Sequence, residues 1–145
     1  MLRRCLLILP LLAYIGVAHA GPYTDDLTKC VVASSTQQDK VALVRWVFSA
    51  MALHPQVAPL TKISASERED IERKMAALVE RLLTETCRQQ TVDAVNYEGS
   101  HAIEQSFNLL GQIASRELMS SPETAAGVAA YWKYVDKKKF EALGK

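Results

Sequence analysis

Apolar residues recur every three to four positions along most of this chain, and no stretch alternates polar with apolar between turn dipeptides. The sequence can therefore build helices and offers no strand. Leu27, Cys30 and Val31 mark a first helix over residues 23–33. Thr36, with Asp39 three positions on, suits the cap of a second helix over residues 37–53. Val41, Leu43, Val44, Trp46, Val47, Phe48, Met51 and Leu53 cover most of its circumference, leaving a narrow polar strip of Gln38, Arg45 and Ser49. That pattern predicts a central helix buried on several sides. His54-Pro55 ends it, because proline disfavours helix at the residue before it.

A loop with Pro55 and Pro59 leads to Ser64 and Glu67, placed as a capping box. Glu67, Glu69 and Asp70 suit the positive end of the helix dipole. Ile71, Met75, Leu78, Val79, Leu82 and Leu83 stripe a long helix to about residue 90, extending with a break toward residue 97. Gly99-Ser100 interrupts the chain, and Ile103, Phe107, Leu110, Ile113, Ala114 and Leu118 define the next amphipathic helix. Ser121-Pro122-Glu123 opens another, to about residue 135, and Asp136 caps a short last one ending at Gly144. The expected fold is all-α: a compact bundle of about five helices.

The amino terminus reads as a leader. Arg3 and Arg4 precede a nearly unbroken apolar run over residues 5–17, and Ala18-His19-Ala20 places small residues where a signal peptidase cuts. The run is too short for a membrane span. Leu2 and Cys5 fit poorly around a twin-arginine signal, which favours ordinary unfolded-chain export. The expected division is a signal peptide over residues 1–20 and one helical domain over residues 21–145, periplasmic or secreted, with no later transmembrane segment.

Export changes what the cysteines mean. Cys5 leaves with the leader, and Cys30 and Cys87 remain for an oxidising compartment, where two thiols most simply make one disulfide. In the chain-entropy picture that closure stabilises the fold by about 4 kcal/mol. Without Arg3 and Arg4, the 17 basic residues fall one short of the 16 acidic ones. A near-neutral domain lacks the basic surplus that a general nucleic-acid binder uses.

Signatures of chemistry are scarce. Glu98 and His101 have the E-x-x-H spacing of di-metal bundles, but only one copy exists and a Gly-Ser break falls inside it, so a surface or capping role is expected. His54 suits a helix end more than a ligand set. There is no G-x-S-x-G, H-E-x-x-H, C-x-x-C-H or phosphate-cradling glycine loop, and no cofactor or metal is expected. Glu80 and Glu85 read as a solvated helix face.

Two features point elsewhere. Glu117 falls within the apolar stripe of its helix, which would bury a carboxylate unless it is paired, and Arg45 is the candidate partner. In the last major helix Ala125, Val128, Trp132 and Val135 form a stripe suited to docking on the core, while Gly127, Ala130, Tyr131 and Tyr134 form the opposite surface. Lys133, Lys137, Lys138 and Lys139 make this end locally basic. Tyr131, Tyr134 and these lysines are the candidate interaction surface.

Leu27, Thr28, Lys29, Cys30, Val31 and Val32, the segment from Asp39 through Trp46 to Pro55, and Leu82 through Cys87 resemble a family of small exported proteobacterial proteins. The likeness spans most of the expected mature chain. It implies a bacterial exported protein with paired cysteines and transfers no catalytic or binding residue. Taken with the residues, it leads to the expectation of a non-catalytic interaction module in the envelope, of inhibitor or immunity type, contacting another envelope protein. The alternatives are a carrier of a small apolar ligand, with Trp46, Phe48 or Phe107 lining an enclosed pocket, and an enzyme using Glu85, His54 or Glu117.

Overall fold

A computed structural model describes residues 21–141 and 143, which are helical nearly throughout and contain no strand. The expected leader and the end at Gly144 lie outside the described residues. The first two helices are α1, Pro22–Ser34, and α2, Gln37–Met51. Next come α3, Ala65–Glu80, and α4, Arg88–Glu98. The chain continues with α5, His101–Met119, then α6, Pro122–Ala129, and α7, Lys137–Glu141.

Their starts follow local chemistry. The Thr36 hydroxyl accepts from Asp39 N at 3.2 Å, and the Asp39 carboxylate accepts from Thr36 N at 2.7 Å, a complete capping box. Ser64 and Glu67 repeat the arrangement at the head of α3. The Ser121 hydroxyl accepts from Thr124 N ahead of Pro122. Gly99, at φ 90°, occupies the left-handed region that separates α4 from α5.

The break in the long helix falls at Cys87. Residues Arg81–Thr86 form a π-turn, closed by Cys87 N donating to Leu82 O at 2.8 Å. The extra residue per turn re-aims the chain. It brings Cys87 to Cys30, and the two form a disulfide with Cα atoms 5.9 Å apart across a sequence separation of 57. The disulfide expected from sequence is present, and so is the all-α bundle.

The core is built around α5, which packs on α1, α2 and α4, while α2 also packs on α3. Leu27, Val31, Leu82, Cys87, Ala94, Ala102 and Leu110 have no solvent exposure. The Thr28 and Ser106 hydroxyls meet at 2.9 Å within this packing.

Two expectations are corrected. α2 is not the buried centre: along it only Leu43 and Ser49 are buried, and its apolar circumference faces largely outward. Its polar strip is exposed at Gln38 and Arg45, but Ser49 is 2% exposed and its hydroxyl accepts from Arg68 Nη1 at 2.8 Å. The last major helix does not dock through Ala125, Val128, Trp132 and Val135. It ends at Ala129, continues as a 3-10 turn over Ala130–Tyr134, and buries no residue.

Candidate functional site

Val41, Val44, Val47, Phe48 and Met51 repeat at intervals of three to four along α2, which places them on one face. Val44 is half-buried and the other four are exposed, Phe48 at 54% and Met51 at 59%. Ordinary solvated helices turn such a stripe inward. On one flank, Leu43, Trp46 and Val47 meet Met75 and Val79 of α3 and Ile103 and Phe107 of α5 around an open groove of about 820 Å³. α3 and α5 make no close backbone approach to one another, and among the described residues α2 is the helix that packs on both. On the other flank, Phe48 lies beside Lys62, Ile63 and Ile71.

The carboxy-terminal segment carries further exposed apolar residues. Val128, Tyr131, Trp132, Tyr134 and Phe140 are all exposed. Trp132 stacks with Tyr131 at 5.3 Å between ring centroids and meets the edge of Phe140 at 6.0 Å, so α7 folds back on the 3-10 turn instead of on the core. The Lys133 ammonium sits 4.9 Å from the Tyr134 ring centroid. Lys137, Lys138 and Lys139 are exposed, so the expected surface residues are all accessible.

Glu117 does pair with α2, but not through Arg45. Its Oε1 accepts from Lys40 Nζ at 2.6 Å. Lys40 lies more than a turn before Arg45 on α2, level with the end of α5, whereas Arg45 is exposed and its charge acts on Glu67 of α3. The pair is not fully buried, with side-chain exposures of 19% for Lys40 and 40% for Glu117. Water therefore screens it, and its coupling is expected to be about 0.5–1 kcal/mol. A thermal double-mutant cycle on Lys40→Ala and Glu117→Ala measures it; Arg45→Ala in place of Lys40→Ala is expected to show none.

Asp39 has one partner beyond the cap expectation. Its carboxylate accepts from Arg81 Nη2 at 2.8 Å, tying the head of α2 to the π-turn. Partial burial pushes its carboxyl up, but the Thr36 hydrogen bonds and the Arg81 guanidinium outweigh that and hold it below the usual value.

Glu98 sits at the other end of the bundle. Its Oε1 accepts from Tyr23 N at 3.0 Å, and its Oε2 accepts from Thr24 N at 2.8 Å and the Thr24 hydroxyl at 2.6 Å. A carboxylate from the end of α4 thus caps α1, whose own N-cap residue, Gly21, has no side chain. Desolvation pushes its carboxyl up, and the Thr24 and Tyr23 hydrogen bonds with the His101 charge pull it below the ordinary range. The Tyr23 and Tyr97 rings stack at 4.6 Å beside it. Of the E-x-x-H pair, Glu98 is a structural cap.

His54 is exposed and its Nδ1 accepts from Gln56 N at 3.2 Å, a turn contact. Glu85 is exposed in the π-turn. No hydrogen bond or ion pair joins His54, Glu85 and Glu117 to one another among the described residues. No group of three or more His, Cys, Asp or Glu able to hold a metal occurs among them, and no helix there is long and apolar enough to cross a membrane.

Comparison with family models, with curated proteins and with solved structures gives no match, so the family resemblance rests on the sequence motifs alone.

Proposed function

We propose that this chain is an exported envelope protein that binds another exported protein without catalysis. One observation carries the reading: α2 turns Val41, Val47, Phe48 and Met51 outward, and on that face only Val44 packs against the core. Burying apolar surface returns about 25 cal/mol per Å², so leaving four such side chains exposed forgoes stability that a partner's surface recovers. The spacing suits a partner helix presenting aliphatic side chains at intervals of three and four, the usual logic of helix-to-helix docking. Tyr131, Trp132 and the lysines at 133 and 137–139 form a second accessible surface with the amphipathic composition found at interfaces. The leader-like start and paired cysteines support an oxidising destination.

The carrier reading draws on the groove shared by Trp46 and Phe107, but that groove is open and Phe48 lies outside it. Small-ligand sites bury most of the ligand, which an open groove does not do.

Replacing Phe48 by a photo-crosslinking side chain in the full-length chain, expressed in an exporting bacterium, is expected to trap a single envelope protein. Met51→Glu in the same chain is expected to abolish the crosslink while shifting stability by no more than about 0.5 kcal/mol, since position 51 is exposed. Crosslinks that survive Met51→Glu contradict the reading. A small molecule released in native mass spectrometry, with no protein trapped, replaces it with the carrier.

A further inference from the structure

Gly21 is the residue that would become the amino terminus if the leader were removed after Ala20, and it sits directly against Glu98. A methyl group added at Gly21 would overlap the Glu98 carboxylate, so the carboxylate fills the space that an N-cap side chain of residue 21 would occupy. The amine nitrogen of a processed chain is bonded to that same Cα, next to the space the carboxylate fills. The same carboxylate already takes both free amides of the first turn, from Tyr23 and Thr24.

We infer that Glu98 is the receptor for the α-ammonium that leader cleavage creates at Gly21, so that processing clamps the start of α1 to the end of α4. The inference rests on the export reading. In the processing step, water adds across the Ala20–Gly21 peptide bond under an envelope signal peptidase. Ala20 leaves as a carboxylate, and the Gly21 amine takes up a proton. A bare ammonium at the head of a helix meets the positive end of the dipole, which disfavours it; a carboxylate at the same point reverses the sign. Glycine at this position admits the carboxylate, and Pro22 at the first helical position sacrifices no amide.

The ionisable groups around this end are Tyr23, Asp25 and Asp26 on α1, Asp93 and Tyr97 on α4, and His101 on α5. Lys29 engages Asp26 at 3.1 Å, and His101 is the cation that acts on Glu98. An amine held by a carboxylate titrates higher in the folded chain than in the unfolded one. Its stabilising effect is therefore complete below the ordinary amine value of about 8 and is lost as pH rises through the raised value.

The test uses the protein exported and processed by the cell. Intact-mass analysis first reads where the mature chain begins, and a start at Gly21 is expected. The amine titration is then followed by isotope-edited NMR after reductive methylation at low extent, in wild type, Glu98→Gln and Glu98→Asp. Wild type is expected to titrate about one pH unit higher than Glu98→Gln, with Glu98→Asp between them. Nα-acetylated wild type is expected to melt lower than the free-amine form at pH 7.5, with the gap closing above the raised amine value. Equal amine titration in wild type and Glu98→Gln overturns the clamp and leaves export standing. A mature chain starting elsewhere than Gly21 overturns the clamp together with the assigned cleavage point. If Glu98→Gln fails to fold, the acetylation comparison in wild type decides alone.

Discussion

Removing the disulfide by Cys30→Ala with Cys87→Ala is expected to lower stability by about 4 kcal/mol, which in a domain of this size lowers Tm on the order of 15 °C. The bond closes the loop that contains the whole of α2 and α3, so the unfolded chain gains much freedom once it is cut. Native contacts also suffer, because Cys87 is fully buried beside Leu82 and Leu83 and alanine leaves the sulfur's space empty. Thermal unfolding of wild type with and without reductant, beside the double variant, checks this. The reduced wild type should fall most of the way toward the variant. A reduced protein that melts within about 2 °C of the oxidised one would show that packing alone holds α1 to the π-turn.

Leu27→Ala carries the second large effect, a loss of about 3 kcal/mol within a usual range of about 2–5. Leu27 has no solvent exposure, and α1 lies between α4 and α5, so the cavity has walls on several sides and little room to collapse. Leu60→Ala serves as the control, since Leu60 is exposed in the 3-10 turn after α2 and is expected to change stability by less than about 0.5 kcal/mol. Chemical denaturation of both variants separates them cleanly. A Leu27→Ala loss as small as that of Leu60→Ala would move the core away from α1.

What the sequence disclosed follows from which signals are local. Capping residues act within three positions, so Thr36 with Asp39, Ser64 with Glu67, and Ser121 before Pro122 all mark helix starts in the structure. The cysteine pair was legible because few cysteines leave few pairings. The facing of α2 was not. A helix with apolar residues over most of its circumference carries no internal statement of which side is inward, and its polar strip, exposed at Gln38 and Arg45, misleads at Ser49, which Arg68 reaches in to satisfy. The partner of Glu117 depended on the crossing of α2 and α5, which periodicity does not contain; Lys40 and Arg45 were indistinguishable as cations.

Glu98 was readable in part. Its single E-x-x-H spacing argued for a cap, and the missing signal was at the receiving end: Gly21-Pro22 starts a helix with no side chain to cap it, so a carboxylate from elsewhere had to come. The π-turn had no residue signature at all. It exists because Cys87 must meet Cys30 while Leu82 and Leu83 stay in the core, a constraint imposed by tertiary packing.

Two methionines within the native protein report directly on the outward face of α2. Met51 is exposed on that face and Met75 is buried on α3. Time-resolved oxidation by dilute peroxide, read residue by residue by mass spectrometry, is expected to convert Met51 as fast as a free methionine and to leave Met75 protected at least tenfold. Protection of Met51 equal to that of Met75 in the isolated monomer would mean that α2 turns its apolar stripe inward, and the binding surface would not exist.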